Sequence, residues 1–208
     1  MSKCLLLVVL VITLSGCGGT VTLPVQDADG REVALLQHAR HSSLVLTRAD
    51  HTRVRYAYGD WAWYVEQETG PISGVRALFL PSRSALGRAE LPAAREGESL
   101  EAVVGVGIDR VHVFHVAAEH IDALLDRLDR AFTSTGQPAV FNAARELSFV
   151  ADERPYHLLH SSNPVVAGWL DELGVEVRGS PLFGIWRIAN SAQGTRIAFS
   201  PTAEPRGD

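Results

Sequence analysis

The chain has 208 residues, 46% of them hydrophobic, and a formal net charge of −5. Its basic residues form no cluster and no stripe interleaved with aromatic side chains, which argues against nucleic-acid binding. Both cysteines, Cys4 and Cys17, lie near the amino terminus. The rest of the chain therefore has no disulfide, no cysteine-ligated metal and no thiol nucleophile.

The amino terminus has the organisation of a bacterial lipoprotein signal. A basic start at Lys3 precedes the apolar run 5–14, which is too short for a membrane-spanning helix and suits a secretory signal. The run ends in Leu-Ser-Gly-Cys at 14–17, which resembles a lipobox, where the cysteine is acylated and the peptide is cut before it. We predict a signal over 1–16 and a lipidated Cys17 that anchors the chain in a bilayer.

The residue after Cys17 is Gly18, and not the aspartate that usually retains lipoproteins in the inner membrane. The resemblance therefore implies an outer-membrane location facing the periplasm, with the inner membrane as the less favoured site. The alternative is an ordinary secretory signal with a chance cysteine near its cleavage site.

Strand and helix patterns alternate after a predicted lipidated tether over 17–28. Strands are expected at 31–36, 41–47, 53–58 and 111–116, and again late in the chain at 175–177, 185–188 and 195–199. A further apolar run covers 75–80. Asp60 is placed to cap a short helix that carries Trp61 and Tyr64.

Two longer helices are predicted. The first covers 119–132, where apolar residues recur at helical spacing. The second follows Asn163 as N-cap, with Pro164 at its first position and Gly174 at its end. Together these patterns predict one α+β domain over 29–200, a small antiparallel sheet packed with helices, and a flexible tail over 201–208.

Ser161 and Ser162 come directly before the second helix, where unpaired N–H groups stabilise developing negative charge. His41 heads a strand far away in sequence and could act as a base. The simpler alternative is that these polar side chains only cap the helix. No phosphate loop, nucleophile elbow or zinc-binding spacing is present, and we predict neither a metal nor a cofactor.

Several segments resemble a bacterial domain-of-unknown-function family that looks like a circularly permuted papain-like (NlpC-type) fold. They are HSSLVL at 41–46, YGDWAWY at 58–64, RALFLPSRSALG at 76–87, VHVFHVAAEHIDALLDRLDRAF at 111–132, HSSNPVVAGWLDELG at 160–174 and SPLFGIWRI at 180–188. In the permuted arrangement the histidine strand precedes the cysteine helix. Relatives of that fold cut peptide or amide bonds in cell-wall fragments, or move acyl groups.

The resemblance places the family's cysteine nucleophile at Ser162 and its histidine at His41. A strand position where the family carries glutamate is Arg55 here. A serine, unlike a thiol, does not ionise beside an imidazole and needs an oriented base. The resemblance thus implies that cysteine-type catalysis is lost.

The leading hypothesis is a non-catalytic envelope lipoprotein, a pseudoenzyme that binds a cell-wall or lipid ligand or has a structural role. Its cleft would be framed by His41, Asp60 and Ser162, with Trp61, Tyr64 and Asn163 as binding residues, although such aromatic side chains more often belong to the core.

The alternative is a serine-dependent hydrolase or acyltransferase acting on an envelope amide or ester. Ser162 would attack, His41 would be the base and Asp60 would orient the imidazole. A third possibility is an unrelated lipoprotein in which His41 and Ser162 lie far apart.

Overall fold

The computed structural model describes residues 18–22, 30–68, 80–93, 95, 98–189 and 197–198. Its strands are β1 Gly18–Thr22, β2 Arg31–His38, β3 His41–Thr47, β4 Arg53–Asp60, β5 Ser82–Leu91, β6 Arg110–Val116, β7 Val140–Asn142, β8 Leu147–Tyr156, β9 Glu176–Gly179, β10 Ile185–Ile188 and β11 Ile197–Ala198. Its helices are α1 Trp61–Tyr64, α2 Leu100–Val104, α3 Ala118–Thr133 and α4 Ser162–Glu172. None of these helices is long and apolar enough to cross a bilayer. The predicted signal, Cys17, residues 75–79 of the apolar run and the tail at 201–208 lie outside the described residues.

An eight-stranded sheet dominates the fold, in the order β11-β6-β2-β3-β4-β5-β8-β7. Every neighbouring pair in it is antiparallel. The predicted α+β class is therefore confirmed, but the prediction of a small sheet was wrong. Strands β2 to β5 pair in sequence order, as consecutive strands usually do.

Both faces of the sheet are covered. On one face, large apolar residues of β3 and β4 pack with α3 and α4 in the main core. On the other face, α2 and the segment around α1 cover two smaller apolar clusters. All eight residues of β4 are consequently buried, including Arg53 and Arg55.

Helix α3 agrees with its prediction to within one residue at each end, and Ile121, Leu124, Leu125 and Leu128 are buried as its period indicates. Helix α4 begins earlier than predicted, with Ser161 at the N-cap position and Ser162 as the first helical residue. The reason is that the Asn163 side chain does not cap the helix and instead bonds to two distant carbonyls.

The segment predicted as a tether contains a strand. Residues Gly18–Thr22 form β1, which pairs parallel to β10 and antiparallel to β9 in a second, three-stranded sheet. Val21 is fully buried in the main core. Local composition does not indicate these long-range pairings, which is why the sequence predicted only a tether.

Candidate functional site

The site begins at a tight turn between β2 and β3. His38 ends β2, His41 opens β3, and the two residues face each other across Ala39 and Arg40. Ala39 has φ of +51°, in the left-handed region that a two-residue hairpin turn requires. The turn thereby places two histidines side by side at one end of two central strands.

Helix α4 brings Ser162 to this turn. The hydroxyl oxygen of Ser162 lies 3.0 Å from Nδ1 of His41, across 121 positions of sequence. Asn163 fixes this approach because its side-chain amide donates to the carbonyls of Arg40 (2.8 Å) and Leu182 (3.2 Å). The sequence hypothesis that His41 and Ser162 meet at the start of a helix therefore agrees with the geometry.

The pair is buried and lies among positive charges. Ser162 is only 2% exposed. Burial, followed by the charges of Arg145 and Arg40, lowers the pKa of His41 from 6.5 to about 4. The imidazole is therefore neutral at pH 7, but it is a weak base and its protonated form is disfavoured.

Asp60, the predicted orienting acid, makes other contacts. One carboxylate oxygen accepts a hydrogen bond from the N–H of Trp63 (2.9 Å) and caps α1, and the other accepts from the hydroxyl of Ser82. Asp60 makes no hydrogen bond to His41, so the structure assigns it a capping role. Within the described residues, no carboxylate is hydrogen-bonded to this imidazole.

A buried polar network lies beside His41, and sequence reasoning missed most of it. The guanidinium of Arg55 contacts the Ser43 hydroxyl (3.1 Å from Nε), the Arg145 carbonyl (3.1 Å from Nη1) and Nε2 of His38 (3.3 Å from Nη2). Nδ1 of His38 donates to the Gly107 carbonyl (2.7 Å), so its Nε2 is the acceptor for both Arg55 and Ser43. Burial and the charge of Arg55 lower the pKa of His38 to about 4.

This network opens into a pocket of about 390 Å³. Polar groups of His38, His41, Ser43, Arg55 and Arg145 line one part of it, and Ala57, Tyr64 and Leu147 line another. The alternation of side chains along β3 and β4 would have indicated that Ser43 and Arg55 lie on one face of the sheet. It would not have indicated that other segments of the chain cover this face.

The three predicted binding residues have different surroundings. Tyr64 lines the pocket and meets the His41 ring edge-on, with 5.7 Å between ring centroids. Trp61 lies under the guanidinium of Arg83, whose carbon is 3.8 Å from the ring centroid. Asn163 is fully buried and holds loops together, so the structure gives it a positioning role.

No group of three or more metal-ligating side chains comes together in the parts of the chain that are described. Comparison of the chain with models of protein families, with curated proteins and with solved structures finds no match.

Proposed function

We propose that this chain is a membrane-anchored envelope lipoprotein with a permuted papain-like domain that binds a ligand in the pocket beside His41 and performs no covalent catalysis. The observation that carries the proposal is the environment of the imidazole. It contacts the Ser162 hydroxyl on one side, while Arg145 and Arg40 are its charged neighbours. A serine–histidine pair that catalyses acyl transfer has the opposite arrangement, with an acid that stabilises the imidazolium.

The papain-like part of the proposal is supported by connectivity and by the positions of two residues. His41 opens a central strand of the antiparallel sheet, and Ser162 opens a helix that packs on that sheet. The histidine strand comes first in the sequence, as in the permuted arrangement that the chain resembles.

A serine nucleophile depends on a carboxylate that stabilises the protonated base, and no carboxylate of the described residues is hydrogen-bonded to His41. Attack by Ser162 would require His41 to take up a proton, and both burial and the neighbouring arginines disfavour the resulting imidazolium. With a pKa near 4 the imidazole provides little driving force for that transfer at neutral pH. A thiol would have less need of such help, because a thiolate can form before attack.

The position of β1 relates a lipid anchor on Cys17 to the pocket beside His41. Gly18 follows Cys17 directly and pairs with Ile185, and the neighbouring Gly184 packs on the backbone of Arg40, the residue before His41. Phe183 and Ile185 are exposed apolar residues at this end. An acyl group on Cys17 would therefore keep the His41 cleft near the bilayer surface.

Labelling with a fluorophosphonate probe tests the absence of catalysis. The full-length chain, purified in a non-ionic detergent, is compared with Ser162→Ala, with an active serine hydrolase as the positive control. We expect neither form to be labelled. Labelling of the wild type that is absent from Ser162→Ala would overturn the proposal.

A second candidate function is a serine-dependent hydrolase or acyltransferase, favoured by the 3.0 Å separation of Ser162 Oγ and His41 Nδ1. The serine also lies at the first turn of an 11-residue helix, where free N–H groups could hold an oxyanion. Asp60 would not orient the base in such an enzyme, because its carboxylate caps α1. The same labelling experiment separates the two functions.

A further inference from the structure

We infer that the pocket beside His41 binds the carboxylate group of a small organic acid through the guanidinium groups of Arg55 and Arg145. The inference deepens the proposed ligand-binding function and rests on it, but it is independent of lipidation at Cys17. Its basis is a buried positive charge whose contacts in the described chain are all with neutral groups.

Arg55 is only 4% exposed, and burial lowers its pKa to about 10, so the guanidinium is still protonated at neutral pH. Buried arginines are normally paired with carboxylates, because removing an uncompensated charge from water is costly. No carboxylate of the described residues lies within ion-pair distance of Arg55. The charges of Tyr64 and Glu146 raise the pKa of Arg55, but neither side chain forms a hydrogen bond with its guanidinium.

The neutral partners of Arg55 leave part of its binding capacity unused. A guanidinium has five N–H donors, and in the described structure Ser43, His38 and the Arg145 carbonyl engage one each. Because His38 is itself fixed by the Gly107 carbonyl, the plane of the guanidinium is set before any ligand arrives. The remaining N–H groups are suited to a planar acceptor with two oxygens.

Arg145 supplies a second positive charge to the same pocket. Its side chain is half-buried, lines the pocket and lies over the Tyr64 ring, with 5.3 Å between the guanidinium carbon and the ring centroid. Its charge disfavours the charged form of Arg55. An anion between the two guanidinium groups would add two attractive interactions that offset this repulsion.

The rest of the pocket suits an organic acid. Ala57, Tyr64 and Leu147 add apolar surface to the lining of the pocket. The volume of about 390 Å³ is within the range of small-molecule sites and exceeds what a bare inorganic ion would fill. We therefore assign the pocket to carboxylates that carry an apolar group, in preference to phosphate or sulfate.

Isothermal titration calorimetry with benzoate tests the inference, using the full-length chain in non-ionic detergent at constant ionic strength. Benzamide is the matched uncharged probe, and inorganic phosphate is the alternative anion. We expect saturable benzoate binding in the millimolar range, at least tenfold weaker binding of benzamide, and no saturable binding of phosphate. Absence of benzoate binding, equal binding of benzamide, or preference for phosphate would each overturn the assignment.

Two variants locate the binding and a third serves as control. Arg145→Gln, at a half-exposed position, and Arg55→Gln should each weaken benzoate binding at least tenfold. Arg178→Gln, which changes an exposed arginine on β9, should leave it unchanged. If Arg55→Gln does not fold, Arg145→Gln decides, and unchanged binding in that variant refutes the assignment.

The two proposals fail separately. Fluorophosphonate labelling of Ser162 would replace the non-catalytic function by the enzymatic one and would not affect benzoate binding. Absence of benzoate binding together with absence of labelling would refute only the assignment of the ligand class.

Discussion

Lowering the pH from 7 to 4 is expected to destabilise the fold through His38 and His41. Both have a folded-state pKa near 4, below the ordinary value of 6.5. Below pH 6.5 the unfolded chain therefore takes up protons that the folded chain does not, and the free energy of unfolding falls until about pH 4. Each histidine contributes up to about 3 kcal/mol to this loss.

Urea unfolding followed by circular dichroism at half-unit steps of pH measures the effect. His38→Gln and His41→Gln should each flatten the profile between pH 6.5 and 4, because glutamine does not titrate. His51→Asn, at an exposed turn, is the control and should reproduce the wild-type slope. A wild-type profile that is flat over this range, or one that His38→Gln and His41→Gln both leave unchanged, would refute the reasoning.

Three further changes test the packing and the anchor. Gly59→Ala should destabilise the fold by about 1–3 kcal/mol in urea unfolding, because the added methyl group overlaps the buried ring of Tyr64; unchanged stability would contradict this packing. Asn163→Ala should cost about 2 kcal/mol, because the carbonyl of Arg40 loses its 2.8 Å hydrogen bond; a loss below 0.5 kcal/mol would exclude the positioning role. Cys17→Ser should abolish incorporation of a palmitate analogue and move the protein out of the detergent phase in Triton X-114 partitioning, and persistent labelling would rule out this anchor.

Elements with a strong local period could be predicted from the sequence, whereas pairings over long distances could not. Helix α3 has an apolar face at regular helical spacing and was placed to within one residue at each end. Strand β1 has only five residues, and its partners β9 and β10 lie more than 150 positions away. No local pattern indicates such partners, and the segment was therefore interpreted as a tether.

The candidate site was predicted in part, through the resemblance and not through spacing. The contact between His41 and Ser162 was predicted from a resemblance that aligns two distant segments, whereas either residue alone could equally be a cap or a core residue. His38 and Arg145 were missed because they have no motif of their own. Both residues contact Arg55 in the buried network. Arg55 is buried because both faces of the sheet are covered, and this coverage is a property of the tertiary structure.

The charge of Arg145 would hinder catalysis if the protein is an enzyme and would promote binding if it is a binding protein. One substitution at Arg145 therefore separates the two candidate functions. In an enzyme its charge opposes the imidazolium that His41 must form, so Arg145→Gln should raise the rate of fluorophosphonate labelling at Ser162. In a binding protein the same charge attracts the ligand, so Arg145→Gln should weaken benzoate binding and produce no labelling. Faster labelling with unchanged benzoate affinity would favour the enzyme and exclude Arg145 from ligand binding. Arg145 lowers the pKa of both His41 and Arg55, so the charge that weakens the base under the enzymatic function is the charge that would attract an anion under the binding function.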